Sequence, residues 1–200
     1  MKARIVLNLA SLPGHAMGSG SPTYWGTAAF MLIEGTGFAL ALVVYLYLMS
    51  LAPTWPLEAP APGLLPGTLV TVVLLLSLIP NVLIARWSNR RDLVKVRIGL
   101  ILMSLFGIVP LLIRPFEFAA LHIKWDTNAY GSVAWLLLGL HTSHILTDLI
   151  ETLVLTCLMF TRHADNPRRY GDVDDNAMYW NFVVLTWLPI YLCIYWVPRL

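Results

Sequence analysis

Four side chains that could do chemistry lie inside one apolar stretch, LLLGLHTSHILTDLIE, at residues 136–151. They are His141, His144, Asp148 and Glu151. Buried histidines and carboxylates can ligate a metal, carry protons, or hydrogen-bond between membrane helices. On a helix the four residues fall within one stripe about 80° wide. Because a charged group facing lipid chains is costly, the stripe must face protein, lipid headgroups or water.

The metal interpretation lacks further ligands. Of the five histidines, only His141 and His144 lie in an apolar segment, and they share one helix, whereas a haem is often ligated from facing helices. The HxxH spacing together with Asp148 or Glu151 leaves a zinc or di-iron site conceivable. We interpret the histidines as interhelical hydrogen-bonding groups and predict no metal site on this chain.

Intramembrane acids also occur in proton relays. Glu34 lies in the first apolar segment, about 15 Å from its inner end, and Asp148 lies about 18 Å from the inner end of its own segment. We therefore expect Glu34 to share a polar cluster with His144 and Asp148. The outer half of the later segment, YGSVAWLLLGL, has no acid. The sequence therefore leaves three alternatives for the acids Glu34, Asp148 and Glu151. They form an inner half-channel, they form a proton-holding site, or they only make polar contacts that join helices.

The elements that must position these groups are transmembrane helices. The chain has 200 residues, of which 58% are hydrophobic and only 12% are charged, too few for a soluble domain of this size. A spanning helix needs about 20 mainly apolar residues. We predict an all-α polytopic membrane protein with a lead-in at 1–23 and one domain at 24–200. Its five spans are predicted at 24–51, 65–87, 96–113, 130–161 and 177–197.

Basic residues predict the orientation. With the N-terminus inside, ten of the 13 lysines and arginines fall in inner segments, as expected for cytoplasmic loops. We therefore predict a cytoplasmic N-terminus and a periplasmic C-terminus. The net charge of +2 gives no indication of nucleic-acid binding. One inner cluster is a candidate for anionic phospholipid headgroups, or it only sets the topology; it comprises Arg86, Arg90, Arg91, Lys95 and Arg97.

Four stretches, in order, resemble the subunit III family of cytochrome c oxidase. AYGSVAWLLLGLHTSHILTDLIETLVL (129–155) is similar to that family's sixth helix, with its GxHxxHV signature. NAMYWNFVVLTWLPIYLCIYW (176–196) resembles the last helix, and WGTAAFMLIEGTGFALALVVYLYL (25–48) resembles the third. GIVPLLIRPFEF (107–118) is similar to the end of the fifth. The resemblance covers 24–198 and fits the short, five-helix form found in several bacterial haem–copper oxidases.

Individual residues match the family's motifs to different degrees. Glu34 and Glu117 match glutamates of the third and fifth helices, and Tyr179 and Trp180 match the tyrosine–tryptophan pair of the last helix. Asn181 stands where the family has a histidine, and Val184 where it has an aspartate. Roles that depend on those two groups do not carry over, which leaves a divergent branch open.

The resemblance implies a non-catalytic subunit of a terminal oxidase in the bacterial inner membrane. Haem and copper would then lie on the catalytic subunit I, with subunit II as a further partner. This chain would retain phospholipid and support proton uptake, with no cofactor of its own. An accessory subunit of a nitric oxide reductase, with the same fold, is an alternative. A small independent proton-coupled transporter is another, although the sequence has no internal repeat.

Overall fold

The computed structural model describes residues 18–200, and the long elements of this part are all helical. They are α1 (Pro22–Leu51), α2 (Leu64–Asn89), α3 (Leu93–Ala119), α4 (Ala129–Met159) and α5 (Arg168–Tyr191). Each is long and apolar enough to span a membrane. The predicted class and the number of spans are therefore confirmed. Most of the predicted lead-in lies outside the described residues.

The connections between helices gather at two ends of the bundle. At one end, Ser88 donates to the carbonyl of Tyr170, and Arg97 Nε donates to the carbonyl of Met159 at 2.7 Å. These bonds join the α2–α3 connection to the α4–α5 connection. We call this the basic end, because the arginines and the lysine of residues 86–97 lie there.

At the other end, the amide of Gly63 donates to the carbonyl of Ala120 at 2.8 Å. Arg199 donates to the carbonyl of Pro62, which brings the end of the chain to the same place. We call this the proline-rich end, after the prolines of the α1–α2 connection. Successive helices therefore run in opposite directions, as five consecutive spans require.

Helix starts follow local capping chemistry. Ser21 precedes α1 and accepts from the amide of Thr23 at 3.3 Å, with Pro22 in the first turn, where a missing N–H costs nothing. Asp92 caps α3 and Asn128 caps α4 in the same way. These short polar side chains fix where the chain leaves each connection and enters the next span.

Several helix boundaries differ from the sequence prediction, and two of the differences have a clear physical reason. Helix α3 ends at Ala119 and not at residue 113, because Arg114 and Glu117 neutralise each other inside the bundle and continue the helix. Helix α5 begins at Arg168 and not at residue 177. Its first turns are amphipathic: Tyr170 and Val173 are buried, whereas Arg168 is exposed and Asp172 and Asp174 are half-buried.

The core lies among α2, α3, α4 and α5. Trp180 and Trp187 of α5 are almost fully buried, and their indole N–H groups donate to Ser77 and Thr71 of α2, both at 2.8 Å. A buried indole needs such a partner. Helix α1 packs mainly on α4 and α5 and buries few side chains, namely Phe38, Ala41 and Tyr45. The polar contacts of α1 therefore matter for its placement.

Candidate functional site: two buried polar networks

Glu34, His144 and Tyr179 meet in the middle of the bundle, one each from α1, α4 and α5. Glu34 Oε1 lies 3.2 Å from His144 Nε2, and the Tyr179 hydroxyl donates to Glu34 Oε2 at 2.6 Å. The ring of Phe38 packs against the His144 imidazole, with 4.7 Å between centroids. This group, here called the Glu34 network, ties α1 to both of its neighbours.

The hydrogen bonds of His144 constrain its protons. Nδ1 lies 2.6 Å from the carbonyl oxygen of Leu140, and a carbonyl can only accept, so Nδ1 carries a hydrogen. If the ring is neutral, Nε2 is then an acceptor and Glu34 must be protonated to bond it. If the ring is an imidazolium, Glu34 is a carboxylate. In both cases one proton is held between Nε2 and Oε1.

Asp148 lies one helical turn beyond His144, toward the basic end. It is 1% exposed and accepts from Asn176 Nδ2 at 3.4 Å, a long bond. Asn176 in turn accepts from Thr152 at 3.2 Å. The phenol group of Tyr179 interacts electrostatically with both Glu34 and Asp148. No hydrogen bond joins Glu34 to Asp148 within residues 18–200.

Glu151 does not lie in the buried cluster where the sequence placed it. Its side chain is exposed and lines an open cleft of about 550 Å³ at the basic end, with Asp172 and Asp175 of α5. The expectation of burial is wrong for this residue, because the cleft beside the first turns of α1 and α5 leaves this side of α4 open. The last turn of the predicted stripe therefore faces the cleft.

His141 belongs to a separate network. Its Nδ1 accepts from Arg114 Nη2 at 2.9 Å, and its Nε2 donates to the carbonyl of Val183 at 3.0 Å. The ring is thus held as the neutral Nε2–H tautomer. The expected single cluster of four stripe residues is therefore divided: His144 faces Glu34, whereas His141 faces α3 and α5.

Arg114 is the centre of this second network, and sequence reasoning missed it because the third predicted span ends at residue 113. It is 2% exposed, donates to Glu117 Oε2 at 2.6 Å, and lies 4.7 Å above the ring of Trp187. Glu117 Oε1 accepts from Tyr195 at 2.7 Å. The Arg–x–x–Glu spacing, which keeps both charges on one helix face, is the signal that could have revealed the pair.

The remaining family-matching residues pack between α2 and α5. Trp180 donates to Ser77, as described above. Asn81 Nδ2 donates to the side chain of Asn181 at 2.9 Å and to the carbonyl of Ala177 at 2.8 Å. Asn181, which replaces a histidine of the family pattern, therefore serves as an acceptor for a fully buried amide.

The basic cluster of the α2–α3 connection is mostly open to its surroundings. Arg86, Arg90, Arg91 and Lys95 are exposed, although Lys95 pairs with Asp92 at 2.7 Å. Arg97 is half-buried, bonded to the carbonyl of Met159, and lies 5.0 Å above the ring of Phe160. Four of the five side chains thus point outward, and Arg97 joins the connections of the basic end.

Metal ligation has no geometric support in the described part of the chain. Within residues 18–200, no three side chains among the histidines, cysteines, aspartates and glutamates come together in a way that could hold a metal ion. All four ring nitrogens of His141 and His144 contact polar atoms of the protein.

Comparison with known proteins covers nearly the whole chain. The family model of cytochrome c oxidase subunit III matches residues 14–198. Cytochrome c oxidase subunit 3 of Synechocystis is 27% identical over 94% of this chain and 83% of its own length. The protein of the same name in Loxodonta africana is 29% identical over 80% of this chain, which spans 63% of that relative, slightly less than two thirds. In Drosophila melanogaster the identity is 31% over 49% of this chain. With five spanning helices and Glu34 facing the HxxH helix, this chain belongs to the cytochrome c oxidase subunit III family.

Proposed function

We propose that this chain is a non-catalytic subunit III of a bacterial haem–copper terminal oxidase. It would lie in the inner membrane beside the catalytic subunit I, which would hold the haem and copper, with subunit II as a further partner. The match of the family along residues 14–198 supports this assignment. The relatives that match are named as subunits of cytochrome c oxidase, which favours an oxidase over a nitric oxide reductase.

The single observation that carries the mechanism is the 3.2 Å contact between Glu34 Oε1 and His144 Nε2, which one proton can bridge. The pair has the same net charge whether the proton is on nitrogen or on oxygen, so it can sit among apolar helices at low cost. The Tyr179 hydroxyl also donates to Glu34, at 2.6 Å, and so orients its carboxyl group. We propose that this pair is a proton-holding site that exchanges with the basic end.

The positions of Asp148 and of the cleft at Glu151 support proton exchange toward the basic end. Asp148 lies between the Glu34 network and the cleft along one face of α4, and Tyr179 is near both Glu34 and Asp148. Toward the proline-rich end, Phe38 covers the imidazole of His144, and His141 is held by Arg114 and Val183. This arrangement supports a half-channel from the basic end and disfavours a transporter that conducts across the whole membrane.

The same contacts give the chain a structural role. Helix α1 buries few side chains, so its bonds to α4 and α5 hold it in place: Glu34 to His144 and Tyr179, and Tyr45 to the carbonyl of Cys193 at 2.6 Å. At the basic end, the exposed Arg86, Arg90, Arg91 and Lys95 would bind anionic phospholipid headgroups. Stabilisation of the catalytic subunit, with lipid and proton supply, is the function that these features support best.

Purification of the intact membrane complex tests this proposal. The tagged chain is extracted in mild detergent, and co-purifying subunits are identified by mass spectrometry. We expect a haem–copper oxidase subunit I, detected also by the haem absorbance of the complex. A partner with non-haem iron at its active site would instead assign the chain to a nitric oxide reductase, and a chain that purifies and functions alone would support a transporter.

A further inference from the structure

The cleft at the basic end has an acidic lining that contains a buried carboxylate oxygen without a partner. The cleft lies between the first turns of α1, the last turns of α4 and the first turns of α5. Among its lining residues, the three acids Glu151, Asp172 and Asp175 face one cation, Arg169, which gives a formal charge of −2. Asp175 is 6% exposed, and its Oδ2 has no hydrogen-bond partner among residues 18–200. An unsatisfied oxygen of this kind indicates a missing donor.

The side chain of Arg169 lacks an acceptor in the same cleft. Its Nη1 donates to Asp172 Oδ2 at 2.7 Å, which engages one of the three acids. Its Nε is buried and has no partner in the part of the chain that the structure describes. A matching occupant therefore offers an acceptor to Arg169 and donors to Asp175 and Glu151. A basic peptide segment has both, because its backbone carbonyls accept while lysine and arginine side chains donate.

The remaining wall of the cleft is apolar. Val154, Leu155 and Leu158 of α4 line it. Gly26 of α1 leaves the opposite side open, because nothing lies within 4 Å of a Cβ built on it. The volume of about 550 Å³ is in the range of ligand-binding clefts. The cleft thus fits an occupant that carries positive charges beside apolar side chains.

The first 17 residues of the sequence have this chemistry. The segment MKARIVLNLASLPGHAM contains Lys2 and Arg4 but no acid, and the apolar residues 5–7 follow directly. Its two cationic side chains match the formal charge of −2 in the cleft. The segment leads into α1, whose first turn lines the cleft through Thr23. Arg4 precedes Thr23 by 19 residues, a length of chain that spans up to about 60 Å when extended, so the cleft is within reach.

We propose that the N-terminal segment, residues 1–17, docks in this cleft. Its two cations donate to Asp175 Oδ2 and to Glu151, one of its backbone carbonyls accepts from Arg169 Nε, and residues 5–7 pack against the apolar wall of α4. Attachment to α1 gives the segment an effective concentration of about 1 mM at the cleft, so each contact can be weak. The inference goes beyond the proposed function, because both partners in the docking belong to this chain.

Disulfide formation in the intact complex tests the docking. Ile5→Cys provides a thiol beside Arg4, and Leu158→Cys provides one on the cleft wall, with Cys157 and Cys193 replaced by serine. The native Cys157 is the matched control, since it is exposed, adjacent to Leu158 and outside the lining of the cleft. We expect residue 5 to link to residue 158 about tenfold faster than to residue 157, after correction for the reactivity of each thiol toward a small maleimide. Equal rates would overturn the proposal.

Charge variants distinguish docking from random collision of the two thiols. Asp175→Asn should reduce the preference for residue 158, and so should Lys2→Gln combined with Arg4→Gln. All three changes together should reduce it less than the sum of the two separate effects, because they remove shared contacts. Asp165→Asn removes an acid from an exposed position of the same end and should leave the preference unchanged. A preference that persists without either set of charges would contradict the inference.

Access of reagents to residue 158 distinguishes other occupants. In the intact complex, the thiol of Leu158→Cys should be protected from a water-soluble maleimide, and Lys2→Gln with Arg4→Gln should expose it. Continued protection in that variant would show that a lipid or another subunit fills the cleft, and the inference would be wrong. Both substitutions precede the first spanning helix, so the bundle retains all of its own contacts. A complex that contains an oxidase but shows no docking refutes this inference alone.

Discussion

The ring of Tyr195 lies across Gly67, so close that a Cβ on Gly67 would be 2.8 Å from the phenolic oxygen. From that position the hydroxyl donates to Glu117 of α3 at 2.7 Å. Tyr195 belongs to a π-helical turn, Leu192–Trp196, that continues α5 toward the proline-rich end. The absence of a side chain at Gly67 thus allows the end of α5 to reach the buried Arg114–Glu117 pair.

Gly67→Ala should destabilise the bundle. The added methyl group collides with the Tyr195 ring, which must move and release Glu117. Over-packing of this kind costs about 1–3 kcal/mol, and loss of the bond to a buried carboxylate adds to it. We expect a lower midpoint of thermal unfolding for the detergent-solubilised complex.

Gly139→Ala is the matched control for this substitution. It also adds a methyl group inside a spanning helix, but nothing lies within 4 Å of the new Cβ. Because alanine favours a helix over glycine by about 1 kcal/mol, this variant should be as stable as the original chain or slightly more so. Equal losses in both variants would show that the Tyr195 contact is unimportant.

Arg114→Met should be among the most damaging single substitutions. It leaves the Glu117 carboxylate buried without its cation and removes the donor to His141. Removing one member of a buried ion pair typically costs about 3–5 kcal/mol. The double variant Arg114→Met with Glu117→Gln should regain a large part of the loss, measured by thermal unfolding of the complex.

The control for Arg114 is Arg97→Met. Among residues 18–200, Arg97 has a carbonyl partner and an aromatic neighbour but no acidic partner. We therefore expect a loss of about 1 kcal/mol, typical of one hydrogen bond. A double variant no more stable than Arg114→Met would contradict the view that an uncompensated charge causes the damage.

The sequence predicted the spans well because apolar length alone determines them. It also indicated the depth at which Glu34 and His144 meet, since rise per residue and antiparallel order are sufficient for that. It missed Arg114, because an arginine beside Pro115 resembles the start of a loop when its partner cannot be seen. Glu117 lies only three residues further along the sequence, but only the fold brings His141 and Trp187 to Arg114.

The exposure of Glu151 shows a second limit of sequence reasoning. Helical periodicity gives the direction of a side chain but not whether a neighbouring helix reaches that height. Here α1 and α5 leave a cleft beside the last turns of α4, so the same face of α4 is closed at Asp148 and open at Glu151. Hydropathy also fails to predict where α5 begins, because the first turns of this helix are amphipathic.

The first turn of α3 should become less stable in acid because of Asp92. The hydrogen bonds from the ammonium and the amide of Lys95 lower the pKa of the Asp92 carboxyl below its usual range. A lowered pKa means that the stabilisation is complete above the unfolded value, about 3.9, and is lost as the pH falls through the folded value. Hydrogen exchange at the Lys95 amide, corrected for its intrinsic rate, should therefore quicken in acid.

Asp92→Asn distinguishes the contribution of the Asp92 charge from that of its capping hydrogen bond. Asparagine caps helices about as well as aspartate, so the α3 start should persist while its acid sensitivity disappears. Salt should likewise weaken the effect in the original chain, because the pair is exposed and screened. An acid-sensitive start that survives in Asp92→Asn would point to another group.

Substitutions at Glu34 separate its two proposed roles. In Glu34→Gln, the amide can still accept from Tyr179 and donate to His144 Nε2, but it holds no exchangeable acid proton. We expect thermal stability within about 2 °C of the original, together with faster inactivation of the oxidase during prolonged turnover. Glu34→Leu removes both hydrogen bonds and should lower stability by about 1–3 kcal/mol.

Thr36→Val is the control on the same helix, since within the described part of the chain the Thr36 hydroxyl bonds only the carbonyl of Leu32, at 2.8 Å. It should change neither stability nor inactivation. If Glu34→Gln matched Thr36→Val in both measurements while Glu34→Leu was unstable, the pair with His144 would serve only to hold α1, and the proton-holding role would be wrong. Faster inactivation in Glu34→Gln at unchanged stability has no structural explanation, because the helix contacts are retained, and it would assign the effect to the proton.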